Sequence, residues 1–498
     1  MNALRTLRRV RLRLARAKRS IRRAERLRHG GFLRPVLTLV TGAVAAQAVV
    51  FAARPVLTRL FTPDEFGVLT VFVTLVTVLG TVSSGRYEDA LMLPDDDDDA
   101  AGVLALAFAV TMGVGLATAL VLLDLSWWAE VLGGPAMRPA LLFLPPAVVL
   151  AGWGLALETW HTRLHRFRPV SASRAVQSGS VVAIQLAAGF LAIGAVGLVA
   201  GAAVGFVVSV LWLGATYMYA DGRRLRVSLS ALPTLARRYV RFPLFSAPAA
   251  LLNVLASRAP VLLLAAFFTT GTVGQFGIAF GTLVLPLGLL TGAVGQVFFV
   301  RAAEAHRANR LGPLTLSVLR QLLVVTVYPA LVVAVAGPAL FAFVFGPEWA
   351  LAGEYARALS VWVLLVSVAV PLTRVFDVTE QQRADLGFSI VLFVVQTGAF
   401  AAVAVLGTAL DAIVALGVVG AAMRLLHIGW MLRLAGTPLR PAALAALRVV
   451  TYALPFLVLV GIVQAWAESG LWVVLAAFAG GLGYLGLAVR QGALGDDL

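Results

Sequence analysis

The residues of this 498-residue chain that could do chemistry fall into three groups. Five consecutive aspartates, Asp95–Asp99, form the first, because aspartate-rich runs hold Mg²⁺ in enzymes that handle prenyl diphosphates. Arginines inside apolar stretches form the second, since a guanidinium stays charged and donates paired hydrogen bonds to phosphate. Five histidines form the third, but they are scattered and have no partner carboxylate at a recognisable spacing. The sequence therefore predicts no catalytic residue.

The composition decides what kind of scaffold must position these groups. Hydrophobic residues make up 60% of the chain and charged residues 13%, and the mean hydropathy is +0.93. Soluble domains carry about twice that share of charged residues. Apolar stretches long enough to cross a bilayer as helices recur along the whole chain. The sequence predicts an all-α polytopic membrane protein with about 14 transmembrane helices. We place them near 36–53, 67–85, 100–123, 140–160, 174–195, 197–220, 246–268, 277–300, 317–344, 356–377, 387–408, 411–432, 448–466 and 471–490.

Arginine placement predicts the orientation of these spans. Arginine is concentrated in the connections 161–174, 221–242 and 301–310, and it is sparse in the alternate connections. Because positive residues are retained on the cytoplasmic side, both termini are expected in the cytoplasm. Arg54 and Arg59 are exceptions near the outer end of the first span.

An internal echo predicts two related halves. RPVLTRLFTPDEFG at 54–67 is repeated loosely by RAPVLLLAAFFTTGTVGQFG at 258–277. Six helices per half is an even number, so the halves point the same way and the substrate is expected between them. The predicted divisions are a basic cytoplasmic amphipathic extension, two pseudo-symmetric six-helix lobes and two further transmembrane helices, at 1–34, 35–220, 221–435 and 436–498.

Three stretches resemble a known family. VLTRLFTPDEFGVLTVFVTLVTVL, followed by RYEDALMLP, is similar to the N-terminal signature of the oligosaccharide flippases. FPLFSAPAALLNVLASRAPVLLLAAFF and FGPEWALAGEYARALSVWVLLVSVAVPLTRVFDVTEQQR also resemble that family. These flippases are the O-antigen and exopolysaccharide translocases of the multidrug/oligosaccharidyl-lipid/polysaccharide exporter (MOP) superfamily. The resemblance covers roughly residues 36 to 440.

The resemblance implies a function. Two lobes would enclose a central cavity that opens alternately to each side of a bacterial inner membrane. The implied cargo is a lipid-linked oligosaccharide on a polyprenyl diphosphate, moved from the cytoplasmic to the outer leaflet for surface polysaccharide biosynthesis. A polysaccharide polymerase is an implied partner. The protein would be a transporter, with no enzymatic activity and no cofactor.

Cationic residues within the spans are the predicted substrate-binding groups. An arginine facing lipid at mid-membrane is costly, so Arg258, in the middle of the seventh span with Asn253 five residues before it, is expected to face the cavity. The alternative is an arginine that extends to the membrane surface or pairs locally. The family usually has a neutral polar residue at this position. Arg54 is predicted to occupy the position in the first half that is equivalent to Arg258 in the second. The alternative is that Arg54 anchors its helix at the outer membrane interface. Arg86 is a further candidate, and a local arrangement with Glu88 at the cytoplasmic mouth is equally compatible with its position.

Four polar residues are candidates for the cavity or for coupling. Arg374 and Asp377 are three residues apart on the tenth span, and we favour a structural ion pair. Gln185 and Gln396 lie in the middle of the fifth and eleventh spans. They either line the cavity or join neighbouring helices by hydrogen bonds, and we favour the second interpretation.

The remaining charged segments favour simple interpretations. Residues 1–34 predict a basic amphipathic helix on anionic membrane lipids, a better explanation than nucleic-acid binding. Asp95–Asp99 is contiguous and has no partner cluster. We therefore expect no metal site there, but a helix N-terminus capped by Asp98 or Asp99, with the other carboxylates solvated or paired with inner-loop arginines.

Two other functions remain open. A multidrug or small-solute cation-coupled antiporter of the same superfamily needs a buried carboxylate, and the sequence shows none deep in a span. Glu158 and Asp377 both lie near cytoplasmic ends. A membrane glycosyltransferase or polysaccharide polymerase usually carries a long extramembrane loop with catalytic polar residues, and no connection here is that long.

Overall fold

The computed structural model describes residues 33–222, 229–467 and 469–491. Most of the predicted basic extension, 1–34, lies outside the described residues. Within the described part, fourteen α-helices have twenty or more residues. The first six are α1 Leu33–Leu60, α2 Pro63–Ser83, α3 Asp97–Val121, α4 Leu144–Arg163, α5 Phe167–Phe190 and α6 Ala195–Tyr217. The next six are α7 Ala247–Phe267, α8 Thr270–Arg307, α9 Leu311–Phe345, α10 Ala350–Leu372, α11 Gln382–Leu406 and α12 Ala409–Leu434. The last two are α13 Leu439–Trp466 and α14 Gly470–Arg490.

The all-α polytopic prediction is confirmed, whereas the predicted number of spans is not. Within the described residues, eleven helices are long and apolar enough to cross a membrane, or twelve if the pair Pro135–Leu142 and Leu144–Arg163, bent by 47°, crosses as one. Helices α1 and α5 fall outside this set. Helix α5 carries two arginines and two glutamines, which lower its apolarity. The two helices pack against each other.

We use the predicted orientation to name the two ends of the helical assembly. The predicted outer end contains the starts of α2, α8 and α10, and the predicted cytoplasmic end contains the ends of the same helices. We call α1–α6 the first lobe and α7–α12 the second lobe. Helices α13 and α14 pack on α9 and therefore lie beside the second lobe.

Both lobes begin their second helix with the same capping chemistry. Thr62 caps α2: its hydroxyl accepts from the Glu65 backbone N–H, and the Glu65 carboxylate accepts from the Thr62 backbone N–H. Thr269 caps α8 by accepting from the Thr272 backbone N–H. Such caps satisfy N–H groups that would otherwise lack partners at a helix start. The capping positions identify Thr62 and Thr269 as equivalent.

The starts of α2 and α8 cross at very short distance, and the crossing is reciprocal. A Cβ atom on Gly67 would lie 1.8 Å from the Thr270 carbonyl oxygen, and one on Gly274 would lie 1.9 Å from the Pro63 carbonyl oxygen. Gly67 and Gly274 are each five residues after their caps, and Pro63 and Thr270 each follow their caps directly. Such swapped contacts are what a two-fold relation between α2 and α8 requires. They therefore support the parallel repeat inferred from the sequence.

The caps also correct the register of that repeat. The sequence echo paired Arg54 with Arg258, but Arg54 is eight residues before its cap Thr62, and Arg258 is eleven before Thr269. The two sequence segments align only because short apolar runs match equally well when one segment is shifted by a helical turn. At 1.5 Å per residue, Arg258 lies about 4.5 Å deeper from the predicted outer end than Arg54.

Candidate functional site

Arg54 lies at the interface between the lobes, against helix α8. Its Nη1 atom is buried, and within the described part of the chain nothing hydrogen-bonds to it. A Cβ atom on Gly281 of α8 would lie 2.9 Å from that nitrogen, so the absence of a side chain there lets the guanidinium lie against the α8 backbone. A buried donor without an acceptor costs about 1–3 kcal/mol. The position is therefore suited to an anionic group that enters between the lobes.

Aromatic rings stack between α8 and α10, starting from the residue that precedes Gly281. Phe280, which precedes Gly281, stacks on Phe276 with ring centroids 5.5 Å apart and on Trp362 of α10 with centroids 5.9 Å apart. The Trp362 Nε1 atom is also buried without a hydrogen-bond partner among the described residues. Stacked rings with a free donor present both an apolar face and a polar edge. The Phe280–Trp362 stack therefore joins α8 to α10.

Arg258 and Asn253 lie on α7, which packs against α2 of the first lobe and against α8 and α11 of its own lobe. The Arg258 side chain is half-buried, and that of Asn253 is exposed. Helix α7 thus places both residues on an element that borders both lobes. Their role in substrate binding stays a prediction.

Arg86 makes the local arrangement that the sequence left open. It pairs with Glu88 at 3.3 Å and with Asp89 at 2.7 Å. Burial raises the pKa of the Glu88 carboxyl above its ordinary value, whereas the Ser84 hydroxyl, which donates to that carboxyl, and the Arg86 charge lower it. An arginine engaged by two carboxylates has less capacity for a phosphate. Arg86 is therefore a weaker candidate for cargo binding than Arg54.

The aspartate run forms ion pairs at the predicted cytoplasmic end. Asp97 lies 3.2 Å from Arg163, and Asp99 lies 3.8 Å from Arg238. The expected pairing with inner-loop arginines is confirmed. The expected cap is wrong, because α3 begins one turn earlier than predicted: Asp96 is its N-cap residue and makes no side-chain capping bond. Within the described residues, no group of three or more histidine, aspartate or glutamate side chains could hold a metal ion.

All four polar candidates make the structural contacts that the sequence analysis favours. Arg374 and Asp377 form the expected ion pair, at 2.9 Å. Gln185 of α5 donates to the Leu198 carbonyl of α6 at 3.0 Å. Gln396 of α11 likewise donates to the Leu416 carbonyl of α12 at 3.1 Å. In both lobes, a glutamine of the fifth helix thus bonds to the backbone of the sixth, as the favoured interpretation predicts.

A set of contacts between the lobes, which the sequence analysis did not identify, closes the predicted outer end. Arg59 of α1 donates to the carbonyl oxygens of Val344 at 2.8 Å and Phe343 at 3.0 Å, in the last turn of α9. Trp349, which is fully buried, donates from Nε1 to the Thr58 carbonyl at 2.9 Å. We call these contacts, together with the α2–α8 crossing, the outer seal. Only the unexpected arginine at an outer helix end hinted at it in the sequence.

The Thr270 hydroxyl adds a third hydrogen-bonded contact to the outer seal, after those of Arg59 and Trp349. It donates to Asp64 Oδ1 at 2.7 Å, and this bond joins the first turns of α2 and α8. The three hydrogen-bonded contacts all lie at one end of the assembly. The structure therefore has its lobes closed together at the predicted outer end.

Replacing Arg59 by glutamine is expected to loosen the outer seal. The guanidinium is a cation placed on the carbonyl end of a helix, which stabilises by about 1 kcal/mol, or about a fivefold shift in the ratio of open to closed forms. The chain contains no cysteine, so a single Thr70→Cys probe, beside Gly277 and beneath the seal, can report opening. We expect labelling of that cysteine from the outer side to rise about fivefold in Arg59→Gln. Equal labelling in both proteins would contradict the assigned role.

A buried polar cluster in the second lobe corrects the view that the histidines have no partner. His427 Nε2 lies 3.2 Å from Asp385 Oδ1, and its Nδ1 lies 3.4 Å from Arg424 Nη1. The ring is 1% exposed and stacks against Phe388 with centroids 4.2 Å apart. The imidazole lies between a carboxylate and a guanidinium, but among the described residues neither His427 Nε2 nor Asp385 Oδ1 has a hydrogen-bond partner. The cluster thus lies between α11 and α12. Its histidine and its carboxylate are 42 positions apart, so no sequence pattern indicates that they are close.

Comparison with known proteins agrees with this architecture. Residues 56–354 match the family model described as polysaccharide biosynthesis protein. No curated protein matches the chain. A solved structure of the lipid II flippase MurJ, in an inward closed conformation, is similar over 92% of this chain and 99% of that chain, with 10% identity and a TM-score of 0.68.

Two further solved structures share the arrangement of helices. A multidrug resistance MATE family transporter of the MOP superfamily, in an outward-facing conformation, covers 81% of this chain and 96% of its own, with 14% identity and a TM-score of 0.54. A MOP superfamily transporter from Pyrococcus furiosus covers 80% of this chain and 95% of its own, also with 14% identity and a TM-score of 0.54. The chain therefore belongs to the polysaccharide biosynthesis protein family and has the fold of the MOP superfamily of flippases and transporters.

Proposed function

We propose that the protein moves a polyprenyl-diphosphate-linked oligosaccharide from the cytoplasmic to the outer leaflet of a bacterial inner membrane by alternating access. The observation that carries this proposal is the unpartnered Arg54 guanidinium between the lobes. A diphosphate cannot cross hydrocarbon without compensation of its charge, and a planar guanidinium provides both a charge and paired donors. The family description, polysaccharide biosynthesis, supports a glycan as the rest of the cargo.

The outer seal supports a defined starting state for this cycle. Because the lobes are closed together at the predicted outer end, Arg54 would first be reached from the cytoplasmic side, where the lipid-linked oligosaccharide is made. The shared fold with a lipid II flippase supports the same type of cargo. In this cycle Arg54 binds the diphosphate first, and Arg258 and Asn253 contribute on α7. The protein would act as a transporter without a cofactor, in contact with anionic lipids and with a polysaccharide polymerase.

Reconstituted translocation tests the proposal directly. Proteoliposomes would contain the full chain and a fluorescent polyprenyl-diphosphate oligosaccharide, and a membrane-impermeant quencher would report the fraction in the accessible leaflet. We expect transfer between leaflets to depend on the protein and to fail for a free fluorescent oligosaccharide without the lipid. Transfer no faster than in empty liposomes would refute the proposal.

The shared fold with MATE transporters makes a cation-coupled antiporter the second candidate. The same vesicles can test it with a fluorescent organic cation under an imposed proton or sodium gradient. Gradient-driven cation transport without lipid transfer would replace the first proposal. Transfer of sugar between lipid-linked substrates by the purified protein would instead indicate a glycosyltransferase or polymerase.

A further inference from the structure

A cavity of about 210 Å³ lies where α9, α13 and α14 meet, away from Arg54. Arg320 of α9 and Arg448 of α13 both line it, together with Tyr452 and with Gln491, which directly follows α14. None of the residues lining this cavity belongs to α1, α2 or α8. It is therefore a second cationic site, built from elements outside the interface that holds Arg54.

The depth of the two arginines follows from helix length. Arg320 and Arg448 are each nine residues after the start of their helix, or about 13 Å along the axis. Helix α13 has 28 residues, and about 20 suffice to cross the hydrocarbon. If its last twenty residues cross, Arg448 lies at the cytoplasmic boundary of the hydrocarbon, and Arg320 of the longer α9 lies slightly outside it. Both guanidinium groups thus reach the level of lipid headgroups.

The surface around the cavity is one that faces lipid. Leu444, which lines the cavity, is 46% exposed, and Leu447, next to Arg448, is 63% exposed. Apolar side chains exposed beside a cation at this depth match the boundary between acyl chains and headgroups. A lipid can therefore approach the cavity sideways from the bilayer, with its chains on the leucines and its headgroup on the arginines.

The charge of the cavity calls for an anion. Within the described part of the chain, no hydrogen bond or ion pair involves the guanidinium of Arg320 or of Arg448. The residues lining the cavity include no carboxylate. Two guanidinium groups on one cavity repel each other unless an anion bridges them, and their forked donors match phosphate oxygens. The Gln491 amide and the Tyr452 hydroxyl are further hydrogen-bond donors, and both are uncharged.

We propose that this cavity binds the phosphate of a membrane lipid headgroup on the cytoplasmic side. The phosphate has two sources in the membrane: an anionic phospholipid held as a resident lipid, or the diphosphate of the lipid-linked cargo before it enters the central cavity. The site requires only the predicted orientation and does not depend on translocation. Failure of the proposed function would therefore leave it standing.

Lipid retention by the purified full chain tests this site. The double variant Arg320→Gln/Arg448→Gln would be compared with Arg383→Gln/Arg440→Gln, which removes the same charge from exposed positions outside the cavity. Native mass spectrometry would measure bound phosphatidylglycerol, polyprenyl diphosphate and, as a phosphate-free lipid, diacylglycerol. All four arginines are exposed, so unchanged melting temperatures are expected and would verify the fold.

We expect the wild type and the control to retain the phosphorylated lipids and not diacylglycerol, and the cavity variant to bind them about tenfold more weakly. Stronger retention of phosphatidylglycerol would identify a resident phospholipid, and stronger retention of polyprenyl diphosphate would identify a cargo entry site. Equal retention by both double variants would overturn the proposal, as would retention of diacylglycerol to the same extent as the phosphorylated lipids.

Discussion

Replacing Arg54 by glutamine is expected to reduce translocation of the lipid-linked oligosaccharide by about one to two orders of magnitude. A hydrogen bond to a charged group contributes about 1.5–3 kcal/mol. Among the described residues, no acceptor bonds to Arg54 Nη1, so none competes there with the cargo. Arg54→Lys should retain part of the activity, because a lysine keeps the charge and loses the planar fork. The rate of leaflet transfer in proteoliposomes measures the effect.

The Arg54 prediction has two internal controls. Arg374→Gln removes an arginine already paired with Asp377, so transfer should stay near that of the wild type. Gly281→Val keeps Arg54 but fills the space where its guanidinium lies, so transfer should fall as in Arg54→Gln. Wild-type transfer by Arg54→Gln at equal protein content would rule out this arginine as a cargo ligand.

Replacing Gly67 by alanine is expected to prevent closure of the outer seal and to abolish translocation. The added Cβ would lie 1.8 Å from the Thr270 carbonyl oxygen and 2.5 Å from its carbon. These are backbone atoms, so only a displacement of α8 could make room. The fold of each lobe should survive, because the collision lies between lobes. Labelling of a Thr70→Cys probe from the outer side should therefore become fast while the protein remains monodisperse.

The reciprocal contact provides the partner experiment for Gly67. Gly274→Ala should produce the same phenotype, because its Cβ would lie 1.9 Å from the Pro63 carbonyl oxygen. Gly113→Ala on α3 is the matched control, since a Cβ there meets nothing within 4 Å. Normal translocation and slow probe labelling in Gly67→Ala would show that the seal does not need this close approach.

Contacts between residues close together in the chain, and the roles of single polar residues, could largely be predicted from the sequence. Arg374–Asp377 are close because three residues nearly complete a helical turn, so their pairing follows from local geometry. The packing role of Gln185 and Gln396 follows from the cost of an unsatisfied amide in a membrane. The cap of α3 was misplaced by two or three residues. Any of five identical aspartates can begin a helix, and only the packed structure selects Asp96.

Contacts between segments far apart in the chain could not be predicted from the sequence. The Arg59 bonds to α9 and the His427–Asp385 pair each join residues whose separation along the chain carries no pattern. The depth of Arg258 relative to Arg54 was also hidden, because apolar repeats align equally well one turn apart. The capping threonines Thr62 and Thr269 fix that register, and their role becomes visible in the structure.

The sequence by itself determined the membrane class, the helical architecture, the predicted orientation and the family resemblance. These follow from hydropathy, charge placement and short sequence motifs, which are properties of short segments. The tertiary structure alone decided which cation is free and which end is closed. Arg54 and Arg86 are both arginines near span ends, yet carboxylates engage one, and the other lies unpaired against Gly281. That difference arises from packing between helices far apart in the chain.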